Sequence, residues 1–282
     1  MIRRVIGLIV IATLVGAAGA TAQDGDSGGP PVLEVTALDY EFQSPTTEVP
    51  AGWTTVALHN EGEETHMLEF ARIPNEGSYR GLRELYGAFD TLQADLEEGA
   101  IDSATVRKAM KSHTPAWFSD MEYLSGPGLV APGRSARTTV DLEPGTYAIL
   151  CFISDSAGTF HYARGMRSKF TVTEPSNGAS PPDADVELTV ADYEISSEGQ
   201  MTAGEQTVAV HFGERENPQE APFQDVQLVR LEEGMTVEDL ADWDGSAPAP
   251  ADFLGGAHAL AAGNTAYVTV ALEPGRYAWV SN

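Results

Sequence analysis

The side chains with the most chemical capacity in this chain are one thiol, two imidazoles and a thioether. Cys151, the only cysteine among 282 residues, opens the run Cys151-Phe-Ile-Ser-Asp-Ser-Ala-Gly-Thr-Phe-His161-Tyr-Ala-Arg-Gly-Met166. His66 lies far upstream, in Thr65-His66-Met67-Leu68-Glu69-Phe70. A thiolate and two imidazoles near one plane, with a weak axial thioether, form the ligand set of a blue-copper site. A single cysteine makes no internal disulfide, so in an oxidising compartment the thiol needs burial or a metal to protect it. A buried, inert cysteine is the plain alternative. His161 and Met166 in the same loop are what favour the metal.

Such a site needs residues from two strands brought to one end of a sandwich, and the surrounding sequence supplies strands. The stretches 33–42, 53–59, 67–73, 136–142, 147–152 and 169–173 are short, β-branched and bounded by Gly and Pro, the signature of strands in an all-β sandwich. Residues 74–125 break the pattern. Leu82, Leu85, Tyr86, Phe89 and Leu92 recur at helical spacing, and 102–113 begins with Asp and ends in basic residues, as helices do. A helical insertion is therefore expected between two strands. Gly165 before Met166 allows a tight backbone at the axial position, and loop amides can donate to the sulfur.

Glu174 to Asp183, with three prolines, Gly and Ser, reads as a linker. Beyond it the pattern of 33–173 returns in 184–282. Thr36-Ala-Leu-Asp-Tyr-Glu corresponds to Thr189-Val-Ala-Asp-Tyr-Glu, and Leu142-Glu-Pro-Gly-Thr-Tyr-Ala to Leu272-Glu-Pro-Gly-Arg-Tyr-Ala. In this register Gln224 stands in place of His66 and Ser281 in place of Cys151, so the second copy should hold no such metal centre. It also lacks a counterpart of the strand 169–173. That leaves an unpaired edge and suggests a natural chain continuing past Asn282. The remaining histidines read as structural (His59 and His211, at equivalent strand ends), helix-terminal (His113) and exposed in a Gly/Ala-rich loop (His258). Glu61, Glu63 and Glu64 read as a solvated acidic turn.

Met1-Ile2-Arg3-Arg4, an apolar run from Val5 to about Ala18 and Ala20-Thr21-Ala22 read as a signal peptide over 1–22, followed by a flexible leader over 23–32. Export, to a periplasm or the extracellular space, is the expectation, with no transmembrane segment left after cleavage. Cleavage would take the formal charge from −26 to −28 by removing Arg3 and Arg4. Such a charge excludes nucleic acid as a partner and suits docking to a basic redox protein.

Together these residues carry a resemblance. Glu143-Pro-Gly-Thr-Tyr147 leading to Cys151, then His161 and Gly165-Met166, is similar to the pattern of the cupredoxins, the blue-copper family of plastocyanin and azurin. Thr65-His66-Met67 after an Asn-x-Gly turn resembles the family's first-histidine strand. The resemblance covers about 33–73 and 126–173, and more weakly 184–282. It implies two tandem Greek-key cupredoxin-like β-sandwiches, the first with its insertion and the second truncated. It also implies one copper ion in the first, with His66, Cys151 and His161 as equatorial ligands and Met166 axial, and single-electron transfer as the function. The more exposed histidine, expected to be His161, would face a redox partner. One departure is the nine residues between Cys151 and His161, where small carriers of the family have two to four and copper nitrite reductases nearly as many as here. With one cysteine, no His-x-His pair and no histidine beside Cys151, the centres of multicopper oxidases and nitrite reductases are not expected, and an enzyme is the least expected class. The alternatives are a metal-free interaction module using the insertion, and a copper storage or delivery protein with a solvent-open site.

Overall fold

The computed structural model describes residues 6–12, 29–192, 194–214, 224–241, 243 and 245–281. Its strands, in chain order, are β1 (Ile6–Ala12), β2 (Val32–Leu38), β3 (Glu41–Gln43), β4 (Glu48–Pro50), β5 (Gly52–Asn60) and β6 (His66–Ile73), then β7 (Glu122–Val130), β8 (Ser135–Leu142), β9 (Gly145–Leu150) and β10 (Arg167–Thr173). β11 (Val186–Ala191), β12 (Glu194–Glu198), β13 (Gly204–Phe212), β14 (Gln224–Arg230), β15 (Asp252–Leu260), β16 (Thr265–Leu272) and β17 (Gly275–Ser281) follow. Helices α1 (Tyr79–Glu97) and α2 (Ser103–His113) lie between β6 and β7, and the single turn α3 (His161–Arg164) precedes β10. The fold is an all-β sandwich, and among the described residues no helix is long and apolar enough to cross a membrane.

The sandwich consists of two sheets, ordered β1-β17-β14-β15-β7-β6-β9-β10-β4 and β12-β11-β13-β16-β8-β5-β2-β3. Along β2 the alternation of apolar and polar residues sends Leu33, Val35 and Ala37 inward, the period of two that a half-buried strand requires. Each sheet runs unbroken through both halves of the chain. β7 meets β15 at Val130↔Leu254, and β8 meets β16 at Arg137↔Thr269 through Thr139↔Tyr267. The pairings of 32–173 recur in 186–281: β2 with β5 and β11 with β13 are parallel, and β5 with β8 and β13 with β16 antiparallel. His59 Nε2 lies 2.7 Å from Glu34 and His211 Nε2 2.5 Å from Glu187, each ring also bonded to a hydroxyl across the sheet, so these two histidines do tie strand ends together.

β6 and β9 are covered on both faces. Leu68, Phe70, Tyr147 and Ile149 face the core between the sheets, while Ala71, Ile73, Ala148 and Leu150 face Leu82 and Tyr86 of α1. This is why their sequences run apolar without alternation. The insertion forms where helical spacing predicts it. Ser78 Oγ accepts from the Gly81 amide and Asp102 Oδ1 from the Thr105 amide, satisfying first-turn donors.

Two findings differ from the sequence reading. β7 contains Ser125-Gly126-Pro127-Gly128, turn chemistry by composition, yet it is a strand. The outer edge of β17, expected bare, is paired along Ile6↔Ser281 to Ala12↔Gly275 with β1, in the place β10 takes against β9. The apolar run assigned to a signal peptide therefore contributes this strand. The cleavage motif Ala20-Thr21-Ala22 and the leader up to residue 28 lie outside the described residues.

Candidate metal centre

Each expected ligand is fixed by local hydrogen bonding. The turn before His66 is pinned by buried Asn60, whose amide donates to the Glu64 and Val130 carbonyls, both at 2.8 Å, and accepts from the Gly62 amide. Cys151 leaves β9 into a loop folded on itself. Asp155 Oδ1 accepts from the Ala157 and Thr159 amides and its carboxylate pairs with Arg164. The His161 amide donates to the Ile153 carbonyl at 2.8 Å, which brings the chain back beside Cys151. Gly165, at φ +122°, ends α3. The Met166 amide then donates to the His161 carbonyl, and the Cys151 amide to the Met166 carbonyl. The nine-residue loop is thus spent on a closed structure rather than on slack.

The structure brings His66, Cys151 and His161 together, one donor atom from each lying within 4.8 Å of the others. His66 Nδ1 is 3.1 Å from His161 Nδ1, which is 3.6 Å from Cys151 Sγ. With bonds of about 2.05 Å to nitrogen and about 2.3 Å to sulfur, as first-row metals make, those edges correspond to angles of roughly 100° and 110° at an enclosed ion. The donor set and its spacing fit a trigonal Cys-His₂ site. Met166 is fully buried and belongs to the same core cluster as Cys151. The Met67 amide points at Cys151 Sγ from 3.5 Å.

The protonation states suit ligands. Asp39 Oδ1 sits 3.1 Å from His66 Nε2, and an ionised carboxylate only accepts, so Nε2 carries the hydrogen and Nδ1 offers its lone pair. Asp39 keeps its charge because hydrogen bonds from the Glu63 and Glu64 amides and from His66 outweigh partial burial, holding its pKa below the usual value. Burial lowers the pKa of His66, and burial together with His66 lowers that of His161 to about 4. Both rings are neutral at pH 7. Burial pushes the Cys151 thiol up to about 12, so a metal there must displace its proton.

Three expectations are corrected. His161 does not face solvent: it and His66 have no exposed surface. Tyr40 stands edge-on to the His161 ring, with centroids 5.1 Å apart, and Glu64 Oε2 lies 2.9 Å from His161 Nε2. That oxygen is off the N–H direction, so the buried Nε2 has no hydrogen-bond partner among the described residues. Asp39 and Tyr40 were not singled out by the sequence, and Glu64, read there as part of a solvated acidic turn, instead faces His161, because an acid in a turn looks like solvated surface whatever it faces. His258 is on β15, not in an exposed loop, and its ring pairs with Glu69 at 3.0 Å and Asp225 at 3.8 Å. In the other half, Gln224 donates to the Gly213 carbonyl and Ser281 is buried at the end of β17.

No protein-family profile matches the sequence, and no curated protein matches it. Among solved structures, the chain is similar to reduced auracyanin from Roseiflexus castenholzii, at 22% identity over 52% of this chain and 100% of that one, with a TM-score of 0.31. It is also similar to auracyanin A, a blue copper protein from Chloroflexus aurantiacus, at 19% identity over 51% and 100%, TM-score 0.31. A multicopper oxidase matches at 15% identity over 86% of this chain and 79% of that one, TM-score 0.26. At these values the likeness names no family for this chain.

Proposed function

We propose that this chain is an exported, periplasmic or extracellular, cupredoxin-like copper protein. It carries one type 1 copper and passes single electrons to and from a partner protein. Residues 33–173 form the copper-bearing unit and 184–282 a copper-free copy that packs against it. The observation that carries this reading is the convergence of His66 Nδ1, His161 Nδ1 and Cys151 Sγ in a pocket without exposed surface. Copper, when bound, supplies one-electron chemistry between Cu(I) and Cu(II). The chain's own residues hold the donors still. Asp39 fixes the tautomer and orientation of His66, the Met67 amide donates to the sulfur, and Gly165 turns the backbone after α3, so that buried Met166 would be the fourth residue to hold the ion. A storage or delivery protein would hold its ion in a solvent-open site, and burial of all four residues favours the electron carrier.

Titration of the purified protein with Cu(II) tests this. The expected result is one equivalent bound, with an intense visible thiolate-to-copper absorption that Cys151→Ser abolishes. A colourless protein that binds no copper would overturn the reading and leave a metal-free interaction module.

A further inference from the structure

The four candidate ligands are closed off from water, so an ion reaches them only if something outside them moves. Tyr40 and Glu64 both pack against His161 and are themselves partly exposed. Tyr40 covers the ring edge-on, with the Arg164 guanidinium 5.1 Å above its own ring, and its hydroxyl donates to Glu64 Oε2 at 3.4 Å. Its backbone sits at φ +67°, a costly conformation for an aromatic residue that favours alternatives once local contacts loosen. Glu64 has two neighbours of different kinds. Inward, its Oε2 is 2.9 Å from the unpartnered Nε2 of buried His161. Outward, it lines a cleft of about 310 Å³ bounded by Thr65, Pro132, Ser156 and the stretch from Ala247 to Ala251. The His161 ring presents Nε2 to Glu64 and Nδ1 to the other donors, so it spans the distance from cleft wall to centre.

We propose that Glu64 is the outer station of a metal-loading path: a copper ion entering the cleft is captured by the Glu64 carboxylate and passes to the centre along His161, with Tyr40 as the gate that swings aside. This rests on the copper reading above. A carboxylate is a hard oxygen donor and holds the ion weakly, while the thiolate and imidazoles inside hold it tightly, so transfer runs inward. A gate changes the rates of loading and release together and leaves the equilibrium nearly where it was.

Stopped-flow uptake of Cu(II), followed by the thiolate-to-copper absorption, and extraction by a strong chelator test the path. Glu64→Gln is expected to slow uptake about tenfold or more at low ionic strength, a difference that shrinks with added salt. Glu63→Gln, in the same cleft but without a contact to His161, leaves the rate within about twofold. Tyr40→Ala speeds uptake and extraction alike, by about tenfold, while Tyr40→Phe, which keeps the ring, changes them far less. Wild-type and Glu64→Gln proteins that load at equal rates would overturn the path while leaving the copper reading intact. So would a Glu63→Gln variant slowed as much as Glu64→Gln, or a Tyr40→Ala variant that loads and releases copper at wild-type rates. A wild-type protein that never develops the absorption would overturn the copper reading, and the path with it.

Discussion

His258 gives the sharpest quantitative expectation away from the metal centre. Its ring lies between Glu69 of β6, 3.0 Å from Nε2, and Asp225 of β14, 3.8 Å from Nδ1, with Gln227 alongside at 3.4 Å and the Ser125 hydroxyl accepting from its backbone amide. Burial opposes charge on the ring, but the hydrogen bonds and charges of Asp225 and Glu69 outweigh it and push the pKa from 6.5 up to about 10. The sign follows from linkage. The folded chain holds this proton where the unfolded chain has lost it, so the stabilisation is complete below about pH 6.5 and is gone above about pH 10. In full it amounts to roughly 5 kcal/mol, at about 1.4 kcal/mol per pH unit in mid-window. The ring is 26% exposed, and water there screens the pair, so a measured slope of about 1 kcal/mol per pH unit is expected.

Between pH 7 and 9 other shifted groups add to the wild-type slope, since the Cys151 thiol, ordinarily near 9, ionises there only in the unfolded chain, so the difference in slope between wild type and His258→Gln measures the histidine. His66 and His161 are shifted downward, the Cys151 thiol up to about 12, and the buried tyrosines upward. Urea unfolding at about pH 7, 8 and 9, followed by tryptophan fluorescence and linear extrapolation, gives the slope. His258→Gln should flatten it and lower stability at pH 7, since two carboxylates then lose their buried cation. A wild-type slope below about 0.3 kcal/mol per pH unit, or an unchanged slope in His258→Gln, would refute the assignment of the charge.

Copper binding at pH 7 should release about one proton per ion, because the Cys151 thiol holds its proton and both histidines are already neutral; calorimetry in buffers of different ionisation enthalpy counts it, and zero release would show that the thiol is not a ligand. Gly62→Ala would place a Cβ 2.4 Å from Asp39 Oδ1 and 2.7 Å from His66 Nε2. Pushing this carboxylate off its histidine should weaken metal affinity by about 10–100-fold, and an unchanged titration curve would remove Asp39 from the argument. Phe70→Ala, which deletes a ring packed edge-on against Tyr147 and Phe170, should cost about 3–5 kcal/mol in urea unfolding; a loss under about 1 kcal/mol would mean the core closes over the gap.

What the sequence revealed and what it hid divide along a physical line. The cluster of His66, Cys151 and His161 was legible as a candidate because a thiol, an imidazole and a thioether in one loop are rare and their order is local. Glycine-bearing strands were not legible, because a glycine in a strand serves a contact made elsewhere. Gly126 in β7 leaves no room for a Cβ, which would lie 1.9 Å from the Leu68 carbonyl oxygen. Gly256 in β15 does the same against Val226, at 2.0 Å. Gly126 lies inside the register shift between β6 and β7, and Gly256, opposite Gln227, borders one between β14 and β15, as at a bulge. Counted from the strand starts, Gly126 and Gly256 are equivalent positions, as are Leu68 and Val226, so the same device is used twice. The same count pairs Glu69 with Gln227 and Gly128 with His258. Gln227 reaches across the seam to accept from the Leu129 amide, over Gly128 at φ +70°, where a Cβ would meet its Oε1 at 2.3 Å. Glu69 reaches the other way and meets His258. One backbone arrangement thus carries a neutral contact on one side and an ion pair on the other. The charge at the seam, like the candidate metal-binding cluster, comes from side chains in which the halves differ, which is why their shared pattern does not reveal it.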